Sequence, residues 1–270
     1  MDKNQIEKPH LDRAVALERE AQQFHSKGEV EKAFASYDKA AKFYRDGEEH
    51  LKSAMCFAAA ATCWNIHTGR QPLRNAATRN HEAAREALKA RNYDYARSLF
   101  YEAAILYEKD GDLESYSTCY LDSKRAARWY FWTAAFCPQR TAGFADLSSV
   151  TVLSRIKNFL LGVLNLAADI VWGFGERPFR MFVVIFFVVV LSALVYTHSH
   201  HYILMAGKAS TISFSEALYF SLVTFATVGY GDYVPAGWVR FVAVGEALSA
   251  IFLVPLFLVA LTRRYLRIDR

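Results

Sequence analysis

Two stretches of this chain are too apolar, for too long, to sit in water. Residues 181–207 contain no Asp, Glu, Lys or Arg, and residues 241–262 contain only Glu246. A helix that crosses a hydrocarbon core about 30 Å thick needs roughly 20 apolar residues, and both stretches are long enough. Uncharged runs of this length rarely suit the core of a soluble fold. The expectation is therefore two membrane spans, at about 181–200 and 239–262. Neither is a leader sequence, because the first begins far along the chain and the N-terminus, MDKNQIEKPH, has no apolar region.

The flanking charges set the orientation. Arg155, Lys157, Arg177 and Arg180 precede the first span, and Arg263, Arg264, Arg267 and Arg270 follow the second. Between the spans the only fixed positive charges are Lys208 and Arg240. The positive-inside rule puts both termini in the cytoplasm, and two spans return the chain to its starting side. A multi-pass protein of the cell membrane is expected, with a basic tail able to hold anionic lipid head groups at about 1 kcal/mol per nearby basic residue. No span carries the regularly spaced arginines of a voltage sensor.

Residues 1–137 have a different character, with charge, alanine and aromatics mixed throughout. They read as successive amphipathic helices broken at Gly28, Gly47, Gly69 with Pro72, Arg91-Asn92 and Gly111. ASYDKAAKFYRDG (35–47) resembles SLFYEAAILYEKDG (98–111) at a shift of about 63 residues, pairing Ala33 with Ala96, Ala40 with Ala103 and Tyr44 with Tyr107. Small residues let a neighbouring helix approach while aromatics fill the space beside it, and repetition of that device marks a helical solenoid. Phe24, Gly28, Ala40 and Tyr44 also resemble the tetratricopeptide pattern, from which the second copy departs with Arg91 in the glycine's place. The resemblance to tetratricopeptide or SNAP-like repeats implies a cytosolic surface for a peptide or protein partner. A helical spacer without a ligand is the alternative.

Residues 138–150 look like a linker. Ile156, Phe159, Leu160, Val163, Leu164, Ala167, Ile170 and Val171 then share one helical face. Within 151–178 this fits a helix in the membrane interface, or a last helix packed on the repeats. The four cysteines, Cys56, Cys63, Cys119 and Cys137, precede the first span and form no disulfide framework. Cys63 and His67 could share a helix face, but two ligands do not make a structural zinc site. His198, His200 and His201 fall at the outer mouth, where they could sense pH, bind a metal or do neither.

The segment between the spans is the most informative. Ser213 and Glu216 form a capping-box pattern, which starts a helix over 214–225. Twelve residues give roughly 18 Å, enough to enter a membrane but not to cross it. The chain must return as non-helical backbone, which is tolerated at membrane depth only if buried in protein or lining an aqueous path. The returning strip is Thr227-Val228-Gly229-Tyr230-Gly231-Asp232. Gly229 and Gly231 can take positive φ at little cost, which allows successive carbonyls to point the same way.

This strip, after a capped short helix and between two spans, resembles the selectivity filter of two-span prokaryotic potassium channels. The resemblance covers about residues 175–265, within a pore domain placed at 179–270, and implies a homotetramer with K+ as the permeant ion. It implies that Thr227, Val228, Gly229 and Tyr230 supply the coordinating oxygens, that Gly231 completes the filter and that Asp232 lies at the outer mouth. Tyr219 and Phe220 would form an aromatic cuff behind it. Ala226 and Val223 differ from residues common in relatives, so filter inactivation is expected to differ while potassium selectivity survives.

The second span would line the inner cavity. Where relatives place a hinge glycine it has Ser249-Ala250, with Gly245 earlier and Pro255 later. Proline removes a helical hydrogen bond, so bending is expected around Ser249–Pro255, the alternative being a static kink. Glu246 is expected to face protein, against the pore helix or filter support of a neighbouring chain. No room for a C-terminal gating domain remains after the second span in this sequence, so any ligand sensor is expected in the repeats.

The whole reads as an all-α protein: a cytosolic helical-repeat domain, then a two-span pore domain with a re-entrant pore helix, assembled as a tetramer. The expected function is a potassium-selective channel. The alternative is a membrane-anchored repeat adaptor with a vestigial pore. No acid–base constellation, phosphate loop or cofactor motif suggests an enzyme.

Overall fold

Single left-handed residues set the breaks in the N-terminal half. The computed structural model describes residues 3–64, 70–140, 151–205, 207–209 and 211–268. Its first helices are α1 (Lys3–Ser26), α2 (Val30–Asp46), α3 (His50–Trp64), α4 (Arg70–Lys89), α5 (Tyr93–Asp110) and α6 (Leu113–Phe136). Between them, Gly28 (φ 75°), Glu48 (φ 57°), Arg91 (φ 57°) and Gly111 (φ 84°) have positive φ. In each of these four turns the next N–H reaches back five residues. Glu29, Glu49 and Asn92 donate to the carbonyls of Phe24, Tyr44 and Ala87 at 2.9 Å, and Asp112 to that of Tyr107 at 3.0 Å. This closure satisfies carbonyls that a helix end would otherwise leave bare.

The same turns explain the internal similarity. Gly28 and Arg91 stand 63 positions apart, as do Glu48 and Gly111. Arg91 therefore keeps the backbone conformation of the glycine it replaces. At the second break the left-handed residue is Glu48, whereas Gly47 has an ordinary φ of −88°. Pro72 lies in the first turn of α4, where its missing N–H has no helical partner to lose. Gly69 and residues 141–150 lie outside the described residues.

The chain divides into two compact units, one through Leu166 and one from Ala167. In the first, each helix from α1 to α6 packs chiefly on its neighbours in sequence. Alanines at the contacts let the axes approach: Ala33, Ala40, Ala54, Ala83, Ala96 and Ala103 are fully buried. Tyr44, Phe57 and Phe100 fill the space beside them. Buried charges are paired, with Glu86 taking His50 Nδ1 and Lys89 Nζ, both at 2.8 Å. All four cysteines are free thiols.

Helix α7 (Val152–Val171) begins in the first unit and ends in the second. Its early turns pack on α6. Arg155 Nε donates to the Ala135 carbonyl at 2.9 Å, and Phe159 meets Phe136 edge-on. Gly162 is buried where a Cβ would come within 2.2 Å of Trp132 Nε1. The apolar face with Ile156, Leu160, Val163, Leu164 and Ile170 stays exposed. These turns of α7 contact α6, with the apolar stripe turned outward.

The second unit holds α8 (Phe179–His198), α9 (Phe214–Phe225) and α10 (Val239–Ile268). A tight turn at Gly173–Gly175 separates α7 from α8, and Arg180 Nη1 closes it by donating to the Asp169 carbonyl at 3.0 Å. Phe179–His198 and Val239–Arg263 are long and apolar enough to span a membrane, and only 22% of each hydrophobic window is buried within the chain. That exposure separates them from soluble core helices, which would be mostly buried. Val239, Ala243, Ala250, Leu253 and Ala260 form the buried stripe of α10, at the three-and-four spacing of one helix face.

The sequence reading did not anticipate a small sheet. β1 (Ile203–Met205) lies between β2 (Lys208–Ala209) and β3 (Tyr233–Pro235), antiparallel to both. Strands of two or three residues are too short to leave a readable alternation.

Candidate functional site

The site is the chain between α8 and α10. Helix α9 starts at the expected capping box. The Ser213 N–H donates to Glu216 Oε2 at 2.7 Å, and the Glu216 N–H returns to Ser213 Oγ at 3.4 Å. The helix ends after twelve residues. The Val228 N–H then donates to the Val223 carbonyl at 3.0 Å, the same five-residue closure that ends the repeat helices.

That closure forces Thr227 to φ 56°. A β-branched residue there is a genuine outlier. Such strain costs about 1–3 kcal/mol, persists only where the surroundings impose it, and clusters at functional sites. Gly229 (φ 58°) and Gly231 (φ 79°) come next, while Val228 and Tyr230 keep negative φ. Residues 227–231 therefore alternate between positive and negative φ. Every residue from Ala226 to Asp232 is exposed in the single chain, Val228 at 52% and Tyr230 at 71%.

Both ends of the strip are held. Below it lies the C-terminus of α9. Above it, Asp232 Oδ1 accepts from the Tyr233 N–H at 3.0 Å, and β3 pairs with β1. The Ala236 N–H donates to the Tyr202 carbonyl at 2.7 Å. Behind it are aromatic rings. The Tyr219 ring lies 6.2 Å from the Tyr233 ring, while Phe220 lies 4.8 Å from Tyr196 and 6.3 Å from Tyr233.

Residues 183–267 match the family model for ion channels. The C-terminal third of the chain thus carries an ion-channel domain, and it holds two helices long and apolar enough to cross a membrane. Separate comparisons with curated proteins and with solved structures gave no match.

The remaining sites fall in and around this channel domain. Gly245 and Pro255 are exposed on α10, Ala250 is buried, and Ser249 Oγ donates to the Glu246 carbonyl at 2.6 Å. The helix is continuous through all four. Glu246 does not need a neighbouring chain: its carboxyl is bonded within its own chain, to Tyr196 of α8 and Ser221 of α9. The sequence signal for this was the lone acid in an apolar run, but the partners come from 50 and 25 positions away.

His198 ends α8, and the His200 and His201 rings lie 4.0 Å apart. No group of three metal-ligating side chains occurs among the described residues. His67 lies outside the described residues, and Cys63 Sγ instead lies 3.6 Å from His25 Nδ1.

Proposed function

We propose that this chain is a potassium-selective channel in which four copies surround a common axis and residues 227–232 of each line the path. The observation that carries this reading is the alternation of positive and negative φ at Thr227, Val228, Gly229, Tyr230 and Gly231. Alternation turns successive peptide planes so that their carbonyls fall on one side of the strip. A row of carbonyl oxygens can replace the hydration shell of K+, a rule itself drawn from channels with TVGYG loops. Thr227, Val228, Gly229 and Tyr230 provide those oxygens, and Asp232 guards the outer mouth.

The need for further copies comes from exposure. Bare backbone at membrane depth must be covered by protein or line an aqueous path, and the strip is uncovered in one chain. One strip supplies one side of a coordination shell, and four complete it. The short helix α9 points the negative end of its dipole toward that axis.

The channel sits in the cell membrane with both termini in the cytoplasm. The repeats, with a peptide or protein partner, are the proposed source of the gating signal. Bending of α10 between Ser249 and Pro255, with Gly245 above, is the proposed gate.

Ion binding tests the reading without a current. K+ in place of Na+ should raise the unfolding temperature of the purified protein by mass action, and Gly229→Ala should abolish the difference. Equal stability in both ions would count against a potassium-binding filter.

A further inference from the structure

Glu246 is the one acid in either uncharged run. It is 3% exposed, and its carboxyl sits where α8, α9 and α10 meet. The Tyr196 hydroxyl donates to Oε2 at 2.6 Å. Ser221 Oγ makes a short hydrogen bond with Oε1. The same Ser221 Oγ lies 2.9 Å from the Val189 carbonyl. No cation pairs with Glu246 among the described residues.

The protons can be counted. A serine hydroxyl has one proton to give, and a carbonyl or an ionised carboxylate has none. If Ser221 donates to Val189, its contact with an ionised Glu246 contains no proton. If it donates to Glu246, two lone-pair oxygens face each other at Val189. A neutral carboxyl removes the conflict. Glu246 Oε1–H donates to Ser221, Ser221 donates to the Val189 carbonyl, and Tyr196 donates to Oε2. Each contact then holds one proton. Desolvation acts in the same direction, because an unpaired charge buried at membrane depth is costly.

We propose that Glu246 is kept as a neutral carboxylic acid and is the positioning residue that fastens α10 to the pore helix α9. The groups facing it are Ser192 and Tyr196 from α8 and Ser221 from α9, with Ser249 of α10 holding its backbone carbonyl. None is cationic. Ser221 stands six residues before Thr227, so displacement of α10 at this level is passed to the base of the strained strip. The functional half of this inference rests on the channel reading, whereas the protonation state does not.

The test uses full-length protein in liposomes at neutral pH. An infrared difference spectrum of wild type against Glu246→Gln should show loss of the carbonyl-stretch band of a protonated carboxylic acid, and Ser221→Ala should shift that band. Loss of carboxylate bands instead would overturn the proposal, whether or not the protein conducts. Potassium reversal potentials give the second readout. The Gln amide can donate to Ser221 and accept from Tyr196, so Glu246→Gln should retain the wild-type reversal potential while Glu246→Ala loses it. Equal damage from both, or none from either, would overturn the positioning role. If Glu246→Ala does not assemble, the spectrum and the Gln variant still decide.

Discussion

Thr227 and Arg91 pose the same backbone problem with different consequences. Both are side-chain-bearing residues held at positive φ where a helix ends. At Arg91, on an exposed turn of the repeats, nothing else demands the arginine. A left-handed L-residue costs about 1–2 kcal/mol, partly offset by the 0.5–1 kcal/mol entropic penalty of glycine. Arg91→Gly should therefore raise stability by about 0.5–1 kcal/mol, read as a higher unfolding temperature of the purified chain. A fall would show that the arginine contributes more than its turn.

Asp112 offers a pH-dependent counterpart. Its carboxylate caps α6, accepting from the Ser115 N–H at 3.0 Å, and that bond holds the carboxyl below the usual carboxylate range. A depressed folded value stabilises above the ordinary carboxylate range and is lost as pH falls through it. Asp112→Ala should cost about 1 kcal/mol at neutral pH, and the deficit should vanish in acid. Hydrogen exchange at the Ser115 amide reads both. These residues also mark the limit of local reading. Gly28 and Gly111 were legible because glycine announces positive φ, while Glu48 was not, because the five-residue closure chose the residue after Gly47.

Helices show a similar division. The limits of α9 were readable because the Ser213–Glu216 box and the Thr-Val-Gly run are local signals. The α8 and α10 spans were readable because length and composition alone decide them. The β1–β3 pairing was not, since its strands are joined across the whole of α9 and each is too short to carry a pattern. The side of α7 that packs was likewise hidden. Its apolar stripe suggested which face would be buried, yet Gly162 forms the contact because only a residue without Cβ admits Trp132 so closely. Gly162→Ala should overpack that contact at a cost of about 1–3 kcal/mol and change the tryptophan emission of the purified chain. An unchanged spectrum and stability would mean that α7 does not dock through this notch.

Across the molecule, an alanine-rich helical unit precedes an ion-channel domain with two exposed apolar helices and an uncovered 227–232 strip. The proposed filter residues could be named from sequence because their motif is contiguous. Glu246's partners were not, because the fold gathers them from two other helices. The most direct measurement is the reversal potential of reconstituted protein with K+ on one side and Na+ on the other. A reversal near the potassium equilibrium potential, lost in Gly229→Ala, is the expected result. A current that reverses near zero in the wild type would contradict a potassium-selective pore.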